Sequence, residues 1–165
     1  MPVIDLNNIK TQIKAILDAS NTTTASTDLS SGMETRVQKV LKLHPARIPI
    51  QATWHPYVTV FLDQKDIDET TMQASQAAGK RKATIGVKIV GVVWNSTVTD
   101  AAADDASDDA ESLMENIEQI MRGNPTLNGI ATWSRPEGVT FHNMQIEEET
   151  HIRAGMMSYR VTVFY

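Results

Sequence analysis

The chain has no cysteine, which excludes disulfides, thiolate zinc sites, iron–sulfur clusters and a cysteine nucleophile, and which fits folding in a reducing cytoplasm. It is poor in aromatic residues, at 5 %. Basic residues are outnumbered, 15 Lys and Arg against 20 Asp and Glu, for a formal net charge of −5. Affinity built on phosphate neutralisation needs a clustered basic excess, so free nucleic-acid binding is not expected. No stretch approaches the roughly 20 apolar residues of a membrane span, and Met1-Pro2-Val3-Ile4-Asp5 lacks the basic start and apolar core of a secretory leader. These features predict a soluble, unprocessed chain without a membrane partner. A length of 165 residues with 41 % hydrophobic content supports one core, and predicts a single domain over 1–165.

Between these absences lie readable elements. Leu6, Ile9, Ile13, Ile16 and Leu17 form one face of a helix, with Asp5 as its N-cap. Residues 20–32 are rich in Ser, Thr, Asn and Asp, which compete with backbone hydrogen bonding; they predict an exposed, mobile loop that buries almost nothing. Val37, Val40, Leu41 and Leu43 fit a strand imperfectly, and Pro45, Pro49 and Pro56 confine Ile48, Ile50 and Trp54 to an edge or irregular connection. Tyr57 to Leu62 reads as a strand. The polar stretch 63–83 carries Asp63, Asp66, Asp68 and Glu69 on its way out and Lys80-Arg81-Lys82 on its return, and predicts a long arm or loop.

Thr84 to Trp94 places Ile85, Val87, Ile89, Gly91 and Val93 on one face and Val90, Val92 and Trp94 on the other, as in a central strand covered on both sides. Ala110, Leu113, Met114, Ile117, Ile120 and Met121 mark an amphipathic helix between an Asp-rich start near 100–109 and the stop Arg122-Gly123-Asn124-Pro125. Ile130 to Ser134 and Val139 to Ile146 flank Arg135-Pro136-Glu137-Gly138, a pattern that predicts a hairpin turn. Met157, Tyr159, Val161, Val163 and Tyr165 alternate strictly. The sum is α+β: a mostly antiparallel β-sheet with two amphipathic helices packed on one face.

Chemistry-bearing motifs are sparse. His44, His55, His142 and His151 have no helical zinc-ligand spacing, although His142 and His151 could meet across a hairpin with Glu147, Glu148 and Glu149 as ligands. Asp63 to Glu69 lacks the glycine and the closing glutamate of an EF-hand loop. The Asp104-Asp105 and Asp108-Asp109 pairs are explained by the helix dipole, and Lys80-Arg81-Lys82 has no interleaved aromatics. Dinucleotide, P-loop, nucleophile-elbow and kinase patterns do not occur. No catalytic, cofactor or metal residue is therefore assigned, and the reading is an assembly module, not an enzyme.

An amphipathic N-terminal helix, a proline-punctuated strand pair reaching Pro56-Tyr57-Val58-Thr59-Val60, a long strand from Ala83 to Trp94 and an acidic-led helix from Asp104 to Arg122 together resemble the tail terminator proteins of long-tailed bacteriophages. Asn124-Pro125-Thr126-Leu127-Asn128-Gly129 after the helix, and the closing Tyr159-Arg160-Val161-Thr162-Val163-Phe164-Tyr165, are also similar. The resemblance spans nearly the whole chain through element order and short patterns. It implies a non-enzymatic virion protein, assembled in the host bacterial cytoplasm, that forms a homo-hexameric ring on the tail tube. Such a ring stops polymerisation of the tube protein and meets the head-completion or connector protein at the neck. DNA is then only passing lumen content, and an acidic lumen would let it slide. The 20–32 loop and the 63–83 arm are long for a minimal terminator. Another neck, tail-tube or minor capsid subunit, or a small metal-dependent hydrolase built on His142 and His151, are the alternatives.

Overall fold

Asp5 caps the first helix, α1 (Leu6–Ser20): its carboxylate accepts the Asn8 N–H at 3.0 Å, and Ile9, Ile13, Ile16 and Leu17 are the buried stripe. The computed structural model describes residues 4–48, 52–68, 81–95, 100–146 and 150–165. After α1 come β1 (Lys39–Leu41), two 3₁₀ turns (Pro45–Arg47 and Ala52–Trp54), β2 (Tyr57–Asp68), β3 (Lys82–Asn95), α2 (Asp100–Arg122), β4 (Trp133–Ile146) and β5 (Thr150–Phe164). The strands form one sheet in the order β1-β2-β3-β5-β4, with β1 parallel to β2 and every other pairing antiparallel. The α+β architecture read from the sequence is the one observed.

Both helices lie on the same face. Val58 and Val60 of β2, Ile85, Val87 and Ile89 of β3, and Met157, Tyr159 and Val161 of β5 meet the stripes of α1 and α2 in one core. Burying each large side chain in that layer stabilises by about 1.5–3 kcal/mol. Opposed glycines bring α2 close. Gly91 pairs with Gly155 across β3 and β5. A Cβ at Gly91 would stand 2.8 Å from Leu113 Cδ2, and one at Gly155 would stand 2.2 Å from Met114 Cγ. The pair is thus a notch in the sheet into which α2 seats.

Three expectations need correction. The hairpin expected at 135–138 is instead a single strand, β4, whose register against β5 shifts between Pro136 and Gly138. Proline lacks a ladder donor and glycine tolerates irregular backbone, so the turn-like sequence produces a bulge. The observed hairpin joins β4 to β5 farther along. The 20–32 loop is irregular, yet it does not bury almost nothing: Leu29 is fully buried in the core and Ser30 is nearly so. Ser30 Oγ accepts the Val37 N–H at 2.9 Å and donates to Asn21 Oδ1 at 2.8 Å. Asn116 of α2 donates to the carbonyls of Leu29 and Ser31 at 3.1 and 2.8 Å, tying the loop to the second helix. Finally, β2 does not stop at Leu62. It continues to Asp68, paired with β3 as far as Lys82, with a register shift between Leu62 and Gln64. The first limb of the expected arm and the end of its return are thus strand; residues 69–80 lie outside the described residues.

Candidate functional site

The face of the sheet opposite the helices is the most distinctive surface, because its two halves differ. At one end Val90 and Val92 of β3 and Tyr57 of β2 are covered by Ile48, with Trp54, Phe61, Ile152, Ala154 and Met156 packed around them. Ile48 and Trp54 supply this cover, so the Val90–Val92 end of β3 is covered on both faces within the chain itself. Beside it runs a mainly apolar groove of about 510 Å³, bounded by His44, Ala46, His55, Tyr57, His142 and Ile152. His55 is buried edge-on between Tyr57 and Trp94, with ring centroids 4.9 and 4.7 Å away. His44 packs against Phe61 at 4.7 Å, and its Nδ1 accepts the Ala46 N–H at 3.2 Å. Burial pushes the Tyr57 phenol above its ordinary pKa.

The other half is bare and ionic. Lys88 Nζ donates to Ser158 Oγ at 2.8 Å and lies 3.6 Å from Asp63. Glu137, the bulged residue of β4, takes Arg160 at 2.8 Å and Arg135 at 3.8 Å. At the far end Trp133 and Phe164 are large aromatics left 46 and 43 % exposed. Register places both on this face: Trp133 lies opposite Thr162, two positions before Phe164. The Arg135 guanidinium lies 5.1 Å from the Trp133 ring centroid. Sequence reading missed Trp133, since a strand expected to end in a turn at 135–138 gave no reason to follow its outward face.

β4 is an edge of the sheet, fourteen residues long, and β1, three residues long, is the opposite edge. Beside β1, the paired limbs of β2 and β3 run on to Asp68 and Lys82. Of the acidic clusters, Asp63 and Asp66 lie on those limbs and Asp104, Asp105, Asp108 and Asp109 on α2. Glu147, Glu148 and Glu149 lie outside the described residues.

The histidine pair singled out for metal binding is not brought together. His142 lies opposite Ala154, whereas His151 lies opposite Gln145, so the two occupy opposite faces three ladder positions apart. Among the described residues no three His, Asp or Glu side chains group in a way that would hold a metal ion. No helix there is long and apolar enough to cross a membrane.

No protein-family model and no curated protein matches the chain. Among solved structures it is similar to a chain described as "Virion of native gene transfer agent (GTA) particle", with 11 % identity and a TM-score of 0.39, over 95 % of this chain and 92 % of that one.

Proposed function

We propose that the chain is a structural virion subunit of the tail-terminator kind. Six copies form a closed ring that caps a finished tail tube, stops its growth and offers a surface to the head-completion protein at the neck. The observation that carries this reading is the inequality of the two sheet edges. One is the long strand β4; the other is the short β1 beside the extended β2–β3 limbs. An unpaired edge presents a row of N–H and C=O groups that another chain can pair. When two different patches of one subunit join head to tail, the contacts repeat and close into a ring whose size the rotation sets. The sequence resemblance to tail terminators supports the same reading, since α1, the β1–β2 pair, the long β3 and the acidic-led α2 follow one another in that order.

The paired ends of β2 and β3, as far as Asp68 and Lys82, then face a neighbouring copy or the lumen, and the formal charge of −5 per copy, repeated round the ring, lets DNA pass without adhering. The reading is tested by adding the purified chain to polymerising tail-tube subunits. Elongation is expected to halt, with the chain found only at tube ends. Tubes that take up the chain along their length would identify a tube subunit instead, and tubes that grow unaffected would remove the terminator reading.

A further inference from the structure

The acids of this chain are unevenly placed. Residues 36–62 hold four Lys and Arg and no Asp or Glu, and neither β3 nor β5 contains an acid. These segments build most of the apolar groove, and no residue lining it carries a carboxylate. Two cations flank it. Arg47 ends the 3₁₀ turn whose Pro45 and Ala46 form one lip, and its side chain is exposed. Lys39 stands opposite Tyr57 in the β1–β2 register, with Nζ 3.7 Å from the centroid of the Trp54 ring. Neither makes an ion pair among the described residues, whereas Arg36, Lys88 and Arg160 all do.

From the apolar floor, the lining without carboxylates and these two uncommitted cations we propose that the groove receives an acidic segment of another protein. One large apolar or aromatic side chain of that segment enters the groove, and carboxylates on either side of it meet Arg47 and Lys39.

Each part of the site has its share in this. Val90, Val92, Ile152 and Ala154 offer no polar side-chain atom, so an anchor laid on them leaves water without stranding a donor or acceptor. A cavity of about 510 Å³ has the size of sites that enclose whole organic groups, and one buried anchor of that kind carries much of the energy of a small interface. His44 Nδ1 accepts the Ala46 N–H at 3.2 Å, which leaves the Nε2 proton of the ring as a donor on the exposed lip. That donor suits a backbone carbonyl of an extended segment. Arg47 and Lys39 supply the charge complementarity that steers and registers such a partner. A nucleic acid fits less well, because two cations on a chain of net charge −5 neutralise too few phosphates to hold one. The groove lies on the sheet face and the ring reading uses the sheet edges, so either can fail alone.

The probe is a display library of random dodecapeptides panned on the full chain. Enriched peptides are expected to carry a large apolar or aromatic residue flanked by Asp or Glu. For one of them, made synthetically and followed by fluorescence polarisation, Arg47→Glu and Lys39→Glu are each expected to weaken binding at least tenfold. Ala46→Trp, which fills the lip, is expected to abolish it. Urea unfolding of the three variants reports whether the fold is kept, and Arg47→Glu, on an exposed side chain outside the core, decides the matter where another variant does not fold. Absence of any enriched sequence, enrichment of basic or purely apolar sequences, or binding that Arg47→Glu leaves unchanged would each overturn the proposal. So would a single-stranded oligonucleotide that displaces the peptide and loses affinity in the same variants, which would assign the groove to nucleic acid.

Discussion

Asp109 is a carboxylate 7 % exposed on the inner side of α2, where its Oδ1 accepts the Glu34 N–H at 3.1 Å. Burial pushes its pKa up, and the nearby charges of Glu34, Asp105 and Asp108 push the same way, against the pull of that hydrogen bond. A carboxyl whose folded value is raised favours the fold below its unfolded value and loses that contribution as pH climbs through the folded value. Ionised Asp109 therefore lowers stability at neutral pH. Asp109→Asn keeps an acceptor for Glu34 and removes the charge. In urea unfolding at a series of pH values it is expected to be more stable than the parent at pH 7, with the gap closing as pH falls towards the ordinary aspartate value of 3.8. A gap that stays constant, or a variant less stable at pH 7, would contradict this. At this scale the sequence reads unevenly. Asp109 looked like one of several dipole-compensating aspartates, because its burial depends on Glu34, 75 positions away. Leu29 was hidden in the same way, a lone apolar residue in a polar run whose partners come from α1, α2 and the sheet.

At the scale of elements, α2 was legible from its helical periodicity and the stop signals after it, and β3 from an alternation that passes into a run apolar on both faces. β4 was not, since Pro136 and Gly138 are turn residues by local rule and only pairing with β5 makes them a bulge. Gly91 and Gly155 are where side chains of α2 press on the sheet backbone. Gly155→Ala puts a methyl group where Met114 Cγ now lies, 2.2 Å from the new Cβ, and α2 must lift or Met114 must move. Overpacking of this kind costs about 1–3 kcal/mol. Denaturant unfolding is expected to show that loss. Adding Met114→Ala, which empties the contested space, is expected to cost less than the two single changes summed. Strict additivity would mean that the notch does not seat the helix.

Taken whole, the molecule has one face closed by its own helices, a second face closed over half its area, and two unlike edges. Fold class followed from sequence because it depends on local periods. The surfaces did not, because the groove brings the Pro45–Arg47 turn and His55 together with residues of β3, β4 and β5 that are distant in sequence. Metal chemistry at His142 and His151 failed on a matter of parity: an odd separation along the ladder sends two side chains to opposite faces. The central claim, a ring of this chain at one end of a tube, is tested most directly by counting its copies in purified particles, by quantitative mass spectrometry against the tube subunit and by imaging of the neck. Six copies at a single position are expected; many copies spread along the tube, or none in the particle, would contradict it.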